Sequence, residues 1–192
     1  MDGLVAYGHS WVQGDGASRP ERAFVDVAAR ELGVVATNLG VGGTASADVH
    51  SRLRGEPAPV SRQYLVMTGL NDARLHGASP EALESYAVAL LAIFRAFHGA
   101  NPAGRTVAVE QPHLIDYSLY PPHNRGSDAV VDAFNVRLRA VASTSPWVVL
   151  ATVSGWNPTT MLSADTVHPN DAGHRELARA VIDAVELSSA SP

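Results

Sequence analysis

The sequence predicts an α/β protein of three layers, an α/β/α sandwich with helices on both faces of a five-stranded parallel sheet. Three observations carry that prediction. Five short runs rich in Val and Leu are spread along the chain, longer segments of helical period separate them, and several of those segments open with capping residues. With 192 residues, 46% hydrophobic and 17% charged, the chain can bury one core without covalent staples. One domain over residues 1–187 is expected, followed by a frayed tail at 188–192.

Residues 4–7 read as the first strand, ending at Gly8. Ser18 and Glu21 then fit a capping box, before Phe24, Val27, Ala28 and Leu32 recur at helical spacing and Gly33 stops the helix. The second strand is read at residues 34–38, a short helix at 45–53 and the third strand at 63–68. Ser79 and Pro80 open a helix whose apolar face is Leu83, Ala87, Leu90, Leu91, Phe94 and Phe97. Residues 106–110 form the fourth strand, Ser127 caps a helix carrying Val130, Val131, Phe134, Leu138 and Val141, and residues 147–153 form the fifth strand. A last helix follows Pro169 with Leu177, Val181 and Val185.

Composition excludes several classes of function. There are no cysteines, hence no disulfide, thiolate-zinc site or thiol nucleophile. A net charge of −5 and the lack of basic runs argue against nucleic-acid or anionic-membrane partners. The amino terminus lacks a basic, then apolar, leader, and no apolar run approaches the roughly 20 residues of a membrane span. A cytoplasmic protein is the expectation.

Ligands of parallel sheets sit beyond the carboxyl ends of the strands, so the polar residues there are the candidates. Ser10 follows the first strand and is the candidate nucleophile. His168 is the candidate base, and Asp165, three residues earlier, is placed to accept a hydrogen bond from its ring. Pro169 biases His168 to an extended backbone at a helix entrance. The Ser10 amide, the Gly43 amide and the Asn71 side chain are candidate donors to a developing oxyanion. A metal cluster at Asp165, His168, Asp171 and His174 is disfavoured, because no second histidine stands four residues from the first.

The segments Gly8-His9-Ser10-Trp11, Asn38-Leu39-Gly40-Val41-Gly42-Gly43-Thr44, Gly69-Leu70-Asn71-Asp72 and Asp165-Thr166-Val167-His168 resemble, in order, four sequence blocks of the SGNH (GDSL-type) hydrolases. The resemblance implies a flavodoxin-like sheet, with Ser10, Gly43, Asn71 and His168 as hallmark residues supported by Asp165. It also implies serine-dependent cleavage of an ester, thioester or O-acylated carbohydrate, and no cofactor. One departure stands out: the first block usually has Asp before the serine and Leu after it, where this chain has His9 and Trp11. Those two residues are candidate substrate contacts, as are Tyr117 and Tyr120 in a loop read as a substrate-shaping lid or a solvated connection, and Trp156 before the dyad. Acyl transfer from the same acyl-enzyme is the alternative activity, and a non-catalytic small-molecule-binding module the third. The third has against it the missing phosphate loop and the pairing of Asp165 with His168.

Overall fold

The fold rests on one parallel sheet with strands ordered β2-β1-β3-β4-β5. In the computed structural model, which describes residues 3–189, the strands are β1 (Gly3–Gly8), β2 (Val35–Asn38), β3 (Gln63–Met67), β4 (Arg105–Val109) and β5 (Val148–Ala151). Each lies within two residues of its sequence-predicted position. β1 and β3 are almost wholly buried, as apolar strands covered on both faces must be.

Helices α2 (Phe24–Glu31) and α8 (Asp171–Ser189) pack together on one face, and α3 (Ser46–Gly55), α5 (Pro80–Ala100) and α6 (Asp128–Ala142) on the other. Three short helices were not anticipated: α1 (Ser10–Gln13), α4 (Leu70–His76) and α7 (Pro158–Met161). All three follow strands at their carboxyl ends or lie in the loop that leads to the dyad. Their few residues show no apolar period of their own. Ser188 and Ser189 belong to α8, and residues 190–192 of the expected tail lie outside the described residues. Among the described residues no helix is long and apolar enough to cross a membrane.

The strand order turns at β1, with β2 on one side and β3 on the other, so the ends of β1 and β3 open onto a crevice. Gly8, which ends β1 beside Met67 of β3, has φ +152°. A Cβ there would lie 2.1 Å from the Met67 carbonyl oxygen, so only glycine lets the chain turn up into the crevice at this point.

The predicted caps of α5 and α6 form: Ser79 Oγ accepts from the Ala82 amide at 3.2 Å and Ser127 Oγ from the Val130 amide at 3.3 Å. The Ser18–Glu21 box does not. The Ser18 amide and hydroxyl both donate to Asp171 of α8 at 2.8 Å, and Arg22, in a 3₁₀ turn over Pro20–Arg22, donates to the same carboxylate at 2.5 Å. The first amide of α2, at Phe24, is instead taken by Nδ1 of His174 at 3.2 Å, while His174 Nε2 lies 3.1 Å from the Asp15 carbonyl. An imidazole in that arrangement is neutral, with its proton on Nε2.

Burial holds the pKa of His174 down at about 4, against the partial opposition of the Asp15 carbonyl and of Asp171. Its folded value is therefore lowered, so between about pH 6.5 and 4 the unfolded chain takes up a proton that the folded one refuses. Stability from this residue is full above that window and falls through it as pH drops, by at most about 1.4 kcal/mol per pH unit. Urea unfolding across the window should show a gentler decline for His174→Gln than for the natural chain. Equal slopes would refute the assignment.

Candidate active site

Ser10 is the first residue of α1, immediately beyond the turn at Gly8. Its Oγ lies 3.1 Å from Nε2 of His168, and His168 Nδ1 lies 2.6 Å from Oδ2 of Asp165. These distances complete a hydrogen-bonded relay of hydroxyl, imidazole and carboxylate.

The turn that carries the dyad is built around the carboxylate. Asp165 Oδ1 accepts from the Ser163 hydroxyl at 2.7 Å, the His168 amide at 2.9 Å and the Val167 amide at 3.0 Å. Thr166, inside this turn, holds φ +63°, a strained value for a β-branched residue that these bonds enforce. The Ser163 amide donates to the His168 carbonyl at 2.8 Å, and Leu162 pairs with Pro169, closing the loop at its base. Partial burial pushes the Asp165 pKa up, but the amide and ring of His168, the Val167 amide and the Ser163 hydroxyl outweigh it and hold the carboxyl well below the usual range. Asp165 is thus a permanent anion fixed against Nδ1.

The glycine loop after β2 folds back over α1. The Val41 amide donates to the Gly8 carbonyl at 2.9 Å and the Gly42 amide to Gln13 Oε1 at 2.5 Å. A Cβ added at Gly42 would lie 3.8 Å from that of Ser10, so the loop lines Ser10. Gly43 has φ +77°, and a Cβ there would meet nothing within 4 Å, so its side faces open space. Asn71, in the first turn of α4 and nearly buried, donates from Nδ2 to the Thr44 carbonyl at 2.9 Å, which pins the loop. Its second Nδ2 hydrogen is not used by that bond. Among the described residues neither the Ser10 nor the Gly43 amide has an acceptor. The neighbouring Asp72 receives the Ser46 amide at 2.9 Å and hydroxyl at 2.5 Å, joining α4 to α3.

Ser10, Asp165 and His168 are brought together, with Gly43 and Asn71 beside them. His9 and Trp11 are not at a substrate surface: both are wholly buried, flanking Ser10 from below. Trp11 Nε1 donates to the Val167 carbonyl at 3.0 Å, and its ring stacks on Trp156 with centroids 5.3 Å apart. Trp156 is partly buried and donates to the His113 carbonyl at 2.9 Å. Tyr117 ties its own loop to α6, accepting from the Leu114 amide at 3.0 Å and donating to Asp128 at 2.9 Å. Of the aromatic candidates Tyr120 is the most open, 51% exposed with φ +62°.

The sequence reading missed four residues. Gln111, two residues past β4, sits where the strand-end rule looks, but a neutral amide there carries no signal of acid, base or nucleophile. Arg74 lies one helical turn beyond Asn71, is buried, and anchors the 113–126 loop by donating to the Leu119 carbonyl at 2.9 Å. Asp15 Oδ2 stands 4.0 Å from His168 Nε2 on the open side. Ser163 has no signal in the sequence at all. Among the described residues no group of three or more His, Cys, Asp or Glu side chains is gathered to hold a metal ion.

The sequence profile of the GDSL-like lipase/acylhydrolase family matches residues 6–176. No curated protein matches the sequence. Solved structures with the same fold include Axe2, an acetylxylan esterase from Geobacillus stearothermophilus, at 19% identity and TM-score 0.69, covering 96% of this chain and 94% of that one. The lipase Lip_vut3 from a goat rumen metagenome is 15% identical with TM-score 0.70, covering 96% of this chain and 97% of that one. A carbohydrate esterase family 2 enzyme with a carbohydrate-binding domain, from Corynascus thermopiles, is 14% identical with TM-score 0.80, covering 100% of this chain and 67% of that one.

If Asn71 serves an oxyanion rather than a ground-state contact, Asn71→Ala should lower kcat by roughly 100- to 1,000-fold with KM little changed. Steady-state kinetics on p-nitrophenyl acetate read this directly; a change confined to KM would remove Asn71 from the oxyanion hole.

Proposed function

The chain belongs to the GDSL-like lipase/acylhydrolase family, and from that premise we propose that it hydrolyses an ester, O-acyl or thioester bond through an acyl-enzyme on Ser10. The observation that carries this reading is the 3.1 Å approach of His168 Nε2 to Ser10 Oγ, with Asp165 bound to the far side of the same ring.

As Ser10 Oγ attacks the carbonyl carbon, His168 Nε2 takes its proton and Asp165 steadies the imidazolium. The carbonyl oxygen becomes an anion. The Ser10 amide, the Gly43 amide and the second Asn71 hydrogen are the donors available to receive it. Collapse of the tetrahedral species breaks the bond to the alcohol or thiol, which leaves with the proton from His168. A water molecule then attacks the acyl-enzyme with His168 again as base, and Ser10 is released with its proton as the carboxylic acid departs. No cofactor is needed for any of these steps.

Support for an ester substrate comes from the family and from proteins of the same fold, which include a lipase, a carbohydrate esterase and an acetylxylan esterase. Asp15, half-exposed, stands near His168 Nε2, and its carboxylate and the side-chain oxygen of Gln13 both lie beside Gly42 of the glycine loop. That surface suits a polar alcohol, such as a sugar, better than a second hydrocarbon chain.

Ser10→Ala and His168→Ala should each lower kcat on p-nitrophenyl acetate by several orders of magnitude, and the double variant should be hardly worse than either alone, because the two groups act as one unit. Strictly additive losses would remove His168 as the base for Ser10. Full activity in Ser10→Ala would remove the acyl-enzyme.

A further inference from the structure

The residue before the nucleophile is a fully buried histidine, and every polar atom of its ring is engaged. His9 has an extended backbone (φ −86°, ψ −163°) and stands at the N-cap of α1. Its Nδ1 lies 3.3 Å from the Trp11 amide nitrogen, and its Nε2 lies 3.1 Å from Gln111 Oε1. An amide can only donate, so Nδ1 must be the bare nitrogen and Nε2 must carry the hydrogen.

Gln111 enforces the same assignment from its own side. Its Nε2 donates to the Thr68 carbonyl at 3.1 Å, which turns Oε1 toward His9. The Gln111 backbone is in turn clasped by Asn135 of α6, whose Oδ1 accepts from the Gln111 amide and whose Nδ2 donates to the Gln111 carbonyl, both at 2.9 Å. The Thr68 carbonyl also receives the Tyr86 hydroxyl at 2.9 Å. A single directed chain therefore runs from the Trp11 amide through His9 and Gln111 to the end of β3. It is uncharged throughout.

This chain bears on the reaction because of which amide it takes. Helix α1 has only four residues, too few to persist without outside support, and its first amides have no partners within the helix. His9 satisfies Trp11 and leaves the adjacent Ser10 amide without an acceptor, free to serve an oxyanion. A carboxylate in the same place would cap the helix equally well. Being an acceptor only, it could not donate onward to Gln111 Oε1 as His9 does.

We infer that His9 is a positioning residue: a neutral imidazole, locked in its Nε2–H tautomer by Gln111, that caps the nucleophile helix and reserves the Ser10 amide for the oxyanion. The inference rests on the reading of Ser10 as nucleophile. Burial first, then the charge of His168 when protonated and that of Arg74 on α4, keep the ring neutral against the pull of the Gln111 hydrogen bond, with a pKa of about 4.

Nitrogen-15 NMR of histidine-labelled protein tests the tautomer, and kinetics on p-nitrophenyl acetate test the consequence. His9 should show a bare Nδ1 and a protonated Nε2, unchanged from pH 5.5 to 8. In Gln111→Leu the ring loses the acceptor that orients it, so a second tautomer should appear and kcat should fall about tenfold while KM stays within about twofold. His9→Ala should lose at least as much kcat. His9→Asn, whose side-chain oxygen can take the Trp11 amide, should recover most of it. An Nδ1–H tautomer, a ring that titrates within that range, or a His9→Asn variant no better than His9→Ala would overturn the inference. If the natural protein itself fails to turn over the ester, the proposed reaction falls, and the NMR signature alone still decides whether His9 is the locked cap.

Discussion

The carboxylate of Asp165 is the point on which the candidate active site depends. Three donors from its own turn and the ring of His168 converge on it, and the turn cannot relax without losing several of these bonds together. Thr166 is held at a positive φ as a result, a local strain offset by the bonds around it. The imidazole is therefore aimed before any substrate arrives. Trp11 extends the constraint across the crevice, because its indole donates to the carbonyl of Val167, next to His168. Ser10 and His168 sit on segments far apart in sequence, yet the buried side chain of Trp11 ties their positions together.

A second theme is the use of neutral histidines as helix caps. His9 takes an amide of α1 and His174 the first amide of α2, each through a bare Nδ1, and each turns Nε2 toward an oxygen. Both rings are fully buried, and for both burial is the main reason the pKa lies near 4. An imidazole can accept at one end and donate at the other, so it can cap a helix and brace it against a second element at once. Ser and Asp caps offer no such second reach of comparable length. His174 also fastens the loop over residues 14–18 by holding the carbonyl of Asp15, and Asp171 of the same helix holds Ser18.

Much of this was legible in the sequence. The central strands β1, β3 and β4 are buried almost throughout, so they read as apolar runs, while the edge strands β2 and β5 are only partly covered; the helices of the cover begin at Ser79 and Ser127 with side chains that cap as predicted. The spacing of Asp165 and His168 carried the dyad, because three residues allow one turn to bring a carboxylate to Nδ1. Other features depend on partners distant in sequence. Ser18 has the local pattern of a cap, but Asp171, 153 residues away, competes for both of its donors and wins. His9 and Trp11 flank the nucleophile, and proximity in sequence suggested substrate contact. A turn into a short helix sends neighbours in different directions, and here Ser10 faces the crevice while both flanking rings face the core. Tyr117 shows the same limit, since an aromatic ring in a loop can stabilise the loop itself, and Asp128 claims its hydroxyl.

The account stands or falls on Ser10 being made nucleophilic by His168 and Asp165. Labelling with a fluorophosphonate, followed by peptide mapping, tests that most directly, because the probe reports attack by the serine without needing the natural substrate. The account predicts a single label on Ser10, formed rapidly in the natural chain and much more slowly when Asp165 is replaced by Ala. A label on another serine, or equal labelling of Ser10 with and without the Asp165 carboxylate, would contradict it.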